Sequence, residues 1–364
     1  MNRRQLIRAA NAIAVGTFLP ASARAHIRPG HLSPYTLTPV VDIDPGFGAA
    51  DATRSVPRIG VVSVGGIGGV CLPGLGAGAR CLPWLDRSIA IDSYGIELHF
   101  MEADRKILVG DGKTQFDPFA NCDATRSTVT EIATAVAGLD IVLLVAGVGG
   151  TTGSTLAPFV AQVLRDQGIL SFGVPVLPHP SESAYRQERA QAGVGKLRAM
   201  VNGQIPIANR GTRISPHAVS GLSTSSQQIP RTVEDVCRAI MNPFRMRGPV
   251  NVDFLDLQRT LSNQSGDCGV GFAAVTRENG AVAAAHQAIN HPLLGQHRLS
   301  QASAVLVSIS APLRHFNLRD SQRAWKFIRQ QLSVDVWSTF GTAPDDNPRD
   351  EITVSILANG IQKA

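Results

Sequence analysis

No two cysteines in this chain stand in a CxxC spacing. Cys71, Cys81, Cys122, Cys237 and Cys268 are odd in number and far apart, which argues against a structural zinc site or a dithiol redox centre and leaves them as reduced thiols. The nine histidines include no HExxH and no His/Cys cluster, so nothing points to a transition metal. Single histidines such as His99 and His286 read as ordinary packed or solvated residues. The glycine-rich stretch at 147–153 is not a Walker A loop, because no Gly-Lys-Ser/Thr follows it, and Gly66 and Gly68 do not open a GxGxxG because Cys71 holds its last place. The apolar stretch at residues 9–19 is far shorter than the ~20 residues that cross a bilayer. Charged residues make up only 17% of the chain, and the net charge of +6 comes from scattered arginines. No nucleic-acid partner is expected from such a distribution.

What is present begins with 364 residues, 44% of them hydrophobic, enough for two packed cores. Arg3-Arg4, the apolar stretch and the small residues Ala21-Ser22-Ala23-Arg24-Ala25 resemble a twin-arginine export signal; a basic arm, or a start placed too far upstream, reads equally well. Residues 26–57 carry prolines and glycines without a period, as an irregular arm does, so folding should start near Arg58. Short apolar runs at 59–64, 88–91, 141–145 and 169–176 read as buried strands. Helical patterns lie at 125–137 and 156–167. The alternation implies an α/β fold with a doubly wound parallel sheet.

Residues 211–230 read as a loop, followed by a helix at 232–241. A smaller α/β unit then follows: helix 253–261, strand 269–276, helix 281–288, strand 304–309, helix 321–332, and strands 334–340 and 352–357. The expected organisation is therefore a signal-like segment and irregular arm (1–57), a first α/β domain (58–230), a central helix and linker (231–250) and a C-terminal α/β domain (251–364). The first run of glycines, 65–69, reads as a tight loop after a strand. The segment after it should be irregular or short, because Pro73, Gly74, Gly76 and Gly78 disfavour helix, proline by ~3 kcal/mol in an interior.

The strongest local signal is Ala146-Gly147-Val148-Gly149-Gly150-Thr151-Thr152-Gly153-Ser154-Thr155, set between an apolar strand and a helix expected to open at Leu156. Glycines let backbone N–H groups approach an oxyanion, hydroxyls add donors, and a helix N-terminus supplies partial positive charge. That is a phosphate cradle, although a plain strand–helix connection has the same composition.

This stretch, continued by Leu156-Ala157-Pro158, resembles the GGGTGTG signature of the FtsZ/tubulin family. The resemblance extends in order along the chain: residues 64–69 are similar to the family's first glycine loop, 178–186 to its Pro-Phe-x2-Glu-x3-Arg segment, and 251–256 to its Asn-x-Asp-Phe-x-Asp loop. Ser262-Asn263, residues 285–294 and residues 352–361 are similar to the FtsZ C-terminal domain. It implies a GTPase that binds GTP or GDP with Mg²⁺ and assembles head to tail with itself. Carried over by position, Gly65, Gly66, Gly68 and Gly69 would line the phosphates from one side. Gly149, Gly150, Thr151, Thr152, Gly153, Ser154 and Thr155 would line them from the other. Glu182 and Arg186 would stand near ribose and phosphates, or else form a surface i,i+4 pair. Asn251, Asp253 and Asp256 would enter the next subunit's pocket and orient the attacking water. Asp253 and Asp256 also suit a helix start as cap and first-turn acid.

The chain departs from the family at several places. Val70 replaces the Asn after the first glycine loop, and Asp92-Ser93-Tyr94 stands for Asn-Thr-Asp. Residues 116–125 replace the loop that covers the phosphates. Pro230 occupies the position that reads guanine, and a proline side chain offers no hydrogen bond; a shifted register would offer Glu234 or Asp235 instead. An alternative is therefore a paralogue without nucleotide recognition, a scaffold for or modulator of an authentic FtsZ. The chain ends soon after Gly360, so no C-terminal anchor-binding tail is expected. A helix at 319–329 pairs cationic and apolar faces, suited to acidic lipid or, more simply, to a packed surface helix. GTP is found in the cytoplasm, which is the expected location; export is the alternative.

Overall fold

The computed structural model describes residues 56–75, 85–110, 123–209, 228–245, 248–262, 267–276, 280–295, 299–345 and 350–361. The arm up to residue 55, the region that replaces the family's cover loop (apart from residues 123–125), most of 211–230, Cys81 and Cys122 lie outside the described residues.

Six parallel strands form the first sheet in the order β3-β2-β1-β4-β5-β6. They are β1 (Ile59–Val64), β2 (Arg87–Asp92), β3 (Arg105–Leu108), β4 (Ile141–Gly147), β5 (Leu170–Val176) and β6 (Gly203–Gln204). Strands β1 and β5 are buried at every position, and β4 at all but its last, which is why they read as unbroken apolar runs: a parallel strand covered on both faces has no polar side. The helices are α1 (Gly65–Leu75), α2 (Gly95–Phe100), α3 (Asp123–Val136), α4 (Thr151–Asp166) and α5 (Ala184–Arg198).

Two elements differ from expectation. Residues 65–69 are not a loop but the opening of α1, which runs on through Pro73. Tertiary packing overrides the weak propensity here: a Cβ on Gly68 would stand 2.7 Å from the Val145 carbonyl oxygen, and one on Gly69 2.5 Å from Met101 Cγ, so only a glycine face fits this close to the sheet. Helix α4 begins at Thr151, five residues before Leu156, so the Gly/Thr stretch is mostly helix N-terminus.

Helix α6 (Gln228–Arg245) starts earlier than the expected Thr232 and buries Ile229, Val233, Val236, Cys237, Ile240, Met241 and Phe244 along one face. It packs against α1 on one side and against the second sheet on the other. That sheet has the order β7-β10-β8-β9, with β10 antiparallel to both neighbours and β8 parallel to β9. Its strands are β7 (Asp267–Thr276), β8 (Ala304–Pro312), β9 (Trp337–Asp345) and β10 (Glu351–Ile361), and with it lie α7 (Phe254–Leu261), α8 (Gly280–Ile289) and α9 (Leu318–Arg329). Helix α9 buries Ser321, Ala324 and Ile328, and Trp325 stacks on Phe340 at 5.5 Å. Its apolar side is thus packed, as in the simpler of the two readings. Among the described residues no helix is long and apolar enough to cross a membrane.

Cys71, Cys237 and Cys268 are buried free thiols. Burial pushes Cys71 and Cys268 up to about 12 and raises Cys237 too, which keeps them protonated and inert. In α5, Gly195 is exposed and a Cβ there would meet nothing within 4 Å. Gly195→Ala is therefore expected to stabilise the protein by about 0.5–1 kcal/mol in urea unfolding, the helix propensity difference undisturbed by packing.

Candidate functional site: a cradle between two helix N-termini

Sheet order reverses direction between β1 and β4: the chain continues from β1 outward to β2 and β3, and from β4 the other way to β5 and β6. In such sheets the crevice at the carboxyl ends of the two strands takes ligands. Val64 and Ala146 are paired neighbours at those ends; α1 starts directly after Val64, and α4 at Thr151, after the turn 148–150. A Cβ on Gly65 would lie 3.6 Å from the Gly153 nitrogen and 3.7 Å from Thr152 Cβ, so the two N-termini converge. Gly65, with φ +75°, makes the turn from β1 into α1.

The turn into α4 is closely fitted. Gly149 has φ +98°, and its N–H donates to Ser154 Oγ at 2.8 Å. A Cβ on Gly153 would stand 2.1 Å from the Gly147 carbonyl oxygen, and one on Gly147 2.5 Å from Ile67 Cβ. Neither helix has an acidic residue in its first turn, and the N-cap of α4, Gly150, makes no side-chain capping bond. The first-turn N–H groups are thus left for an external anion. Thr151 and Thr155 are half-buried in the same turn.

Arg186, in the first turn of α5, completes this side. Its Nη2 lies 3.7 Å from the position of a Gly150 Cβ, and its Nη1 pairs with Glu182 Oε2 at 2.8 Å. Glu182 Oε1 in turn accepts from the His179 N–H at 2.8 Å. Glu182 precedes the helix, so the pair bridges the entry of α5 and brings a guanidinium to the N-terminus of α4. The structure therefore unites Gly65, Gly66, Gly149 to Thr155 and Arg186, with Glu182 behind. Gly68 and Gly69 are placed one turn further in, where their bare faces meet Val145 and Met101.

Asn251, Asp253 and Asp256 stand elsewhere, at the entry of α7, which packs on β8, β9 and β10. The Asn251 side chain accepts from Gly248 N–H at 2.8 Å. Asp253 caps α7, accepting from Asp256 N–H at 2.8 Å, while Asp256 accepts from Asp253 N–H at 3.0 Å. This capping box uses one oxygen of each carboxylate. Val252 is buried against Gly341, and Val250 pairs with Thr342, so the loop is fastened to β9 while Asn251 and Asp253 remain exposed and Leu255 is half-exposed.

Pro230 lies in the first turn of α6. Glu234 binds Arg238 at 2.6 Å, and Asp235 Oδ2 faces His291 Nε2 at 3.6 Å. Both carboxylates that a shifted register would offer thus have local partners.

Sequence reasoning missed the β2–α2 corner as part of this crevice. Ser93 Oγ lies 3.0 Å from Thr152 Oγ1, and Glu97 Oε2 would be 3.0 Å from a Gly66 Cβ. Asp92 is fully buried; one of its oxygens accepts from the Tyr94 N–H at 3.0 Å, and the other has no partner. Burial first, and the nearby Glu97 charge after it, push the Asp92 carboxyl up to about 6. The fold thus binds a proton at Asp92 more tightly than the unfolded chain does. The stability from this residue falls as pH rises from about 4 to about 6, and above that the buried charge is a cost. Asp92→Asn is expected to exceed the wild type in stability by about 2–3 kcal/mol at pH 7.5. The advantage should vanish below about pH 4 when the two are unfolded in urea side by side.

The comparisons with known proteins agree with this geometry. Residues 80–213 match the model of the Tubulin/FtsZ family GTPase domain, and residues 266–362 that of the FtsZ family C-terminal domain. The chain is 29% identical over 322 residues to the cell division protein FtsZ of Caulobacter vibrioides, a match that takes in 87% of this chain and 62% of that relative. It therefore spans less than two thirds of the relative's length. Among solved structures, an empty FtsZ dimer of M. jannaschii superposes with a TM-score of 0.69 at 23% identity, covering 85% of this chain and 89% of that one. CetZ2 from Haloferax volcanii, in a GTPgS-bound protofilament, superposes with a TM-score of 0.67 at 18% identity, covering 84% and 94%. These last two likenesses speak for the fold. With two glycine-rich helix starts at the switch point and both domain models matched in chain order, the chain belongs to the FtsZ/tubulin family, as a divergent FtsZ-like member.

Proposed function

We propose that this protein binds a guanine nucleotide between α1 and α4, polymerises head to tail with itself, and hydrolyses GTP at a site shared by adjacent subunits. The observation that carries the reading is the convergence at the switch point of two glycine-rich helix N-termini, neither with an acid in its own first turn, with Arg186 beside them. Two positive dipole ends and a guanidinium in one crevice call for a polyanion. Thr151, Thr152 and Thr155 would add hydroxyl donors. In this reading Mg²⁺ arrives with the phosphates, since no group of three or more His, Cys, Asp or Glu among the described residues gathers to hold a metal alone. Asn251, Asp253 and Asp256 would act on the nucleotide of the neighbouring subunit. One chain then carries half of each of two sites, and the cytoplasm, where GTP is available, is the matching location.

A second reading has its own support. Pro230 stands where a guanine reader is expected, and Glu234 and Asp235 are engaged locally, which suits a paralogue that keeps the polymer fold and serves as a scaffold for, or modulator of, an authentic FtsZ. One experiment separates the two: turnover of GTP, with ATP as control and Mg²⁺ present, measured against protein concentration. Turnover of GTP alone, rising from a threshold concentration, is expected for the shared site. No turnover of either nucleotide would leave the scaffold.

A further inference from the structure

The β2–α2 corner puts negative charge where the cradle would receive more of it. Glu97 belongs to the first turn of α2, yet its Oε2 reaches the first turn of α1, 3.0 Å from the place a Gly66 Cβ would fill. Helix α1 has no acid of its own there, so Glu97 brings negative charge to the end of the helix that the dipole favours. Behind it Asp92 is fully buried, with one carboxylate oxygen that has no partner. The Ser93–Thr152 contact, 3.0 Å between the hydroxyls, fixes this corner to the start of α4.

Among the described residues no cation is placed against the pair. Strand β1 holds no titratable group, α1 holds only the buried Cys71, and residues 151–155 hold none. On β3, the strand next to Asp92, Arg105 and Lys106 are exposed at the far end, and Lys106 Nζ donates to the His99 carbonyl at 2.9 Å. On α2 itself the remaining titratable group, His99, is exposed.

We propose that Glu97 is a resident anion in the nucleotide cradle. It competes with phosphate for the N-terminus of α1, and Asp92 behind it makes the competition depend on pH. This rests on the nucleotide reading and adds to it a selecting residue. At neutral pH the entering phosphates meet a carboxylate that must swing away. As Asp92 takes up a proton, one of the two negative charges at this corner is lost and the phosphates approach the first turn of α1 more easily. The rise of the Asp92 carboxyl to about 6 places that change just below neutrality.

The test is binding of GTP and of GDP to the full chain between pH 5.5 and 8, in the wild type, Glu97→Gln, Glu97→Asp and Asp92→Asn. The phosphates' own titration is common to all four, so the differences isolate the carboxylates. At pH 7.5 Glu97→Gln should bind roughly tenfold more tightly than the wild type, the effect of about one pKa unit of repulsion. Glu97→Asp, whose shorter side chain draws the charge off Gly66, should move the same way, and Asp92→Asn less. The wild type and Asp92→Asn should converge towards pH 5.5. Equal affinities for the wild type and Glu97→Gln at pH 7.5, with parallel pH curves, would overturn the role of Glu97 and leave the nucleotide reading intact. Failure of every protein to bind either nucleotide at any pH would overturn both.

Discussion

GTP turnover is expected to fall by a factor of about 10²–10⁴ in Asp256→Asn, the usual worth of a positioned acid or base, with nucleotide binding unchanged. Asparagine is the informative replacement, because Asp256 has a structural occupation beside the proposed catalytic one. Its Oδ2 accepts from the Asp253 N–H in the capping box, and an asparagine oxygen can accept the same bond. Alanine would remove both occupations and cost about 1 kcal/mol of stability as a lost cap. A residue that serves only as a cap would therefore tolerate asparagine and suffer from alanine. A residue that also orients water at the neighbour's phosphates would lose turnover in both. Normal turnover in Asp256→Asn would sink the catalytic assignment.

The proposed shared site makes a further demand on the same variant. Mixed with Arg186→Glu, which repels phosphate at its own cradle, Asp256→Asn should regain activity, because the intact loop of one chain can meet the intact cradle of the other. Random head-to-tail pairing of equal amounts completes roughly a quarter of the junctions. Turnover at about that fraction of the wild type, from two nearly inactive proteins, is the expected result. A mixture no more active than its parts would mean that the loop does not work in trans.

How much of this was legible beforehand follows from what each element asks of its residues. Strands β1, β4 and β5 could be read because burial on both faces requires unbroken apolar runs. The Asp253 cap could be read because Asp suits the cap and the first turn of a helix. Strand β3 could not be read: of Arg105, Lys106, Ile107 and Leu108 only Ile107 is buried, and an edge strand with a single buried side chain leaves no alternation. The starts of α1 and α4 were misplaced because glycine announces a loop when judged by propensity. In this fold it marks a helix driven against backbone, and that pressure is tertiary. The approach of Glu97 to Gly66 joins residues 31 positions apart in sequence, and no local pattern encodes it.

Gly153→Ala is the sharpest test of that last distinction. Judged as a helix residue, glycine at this place costs up to about 1 kcal/mol relative to alanine, so the substitution should stabilise, as expected for Gly195→Ala. Judged from the fold, the new methyl would stand 2.1 Å from the Gly147 carbonyl oxygen, a contact that no rotation of a side chain relieves. The end of β4 and the start of α4 must then move apart. Overpacking of this kind costs about 1–3 kcal/mol and wins over propensity. The same movement would carry the α4 N–H groups away from those of α1, and the two N-termini must converge to hold a phosphate chain. Gly153→Ala is therefore expected to lose at least about tenfold in nucleotide affinity, a change of roughly 1.4 kcal/mol. Its urea midpoint should fall while that of Gly195→Ala rises. If Gly153→Ala were as stable as the wild type and bound nucleotide equally well, the tight β4–α4 junction would not be what shapes the cradle.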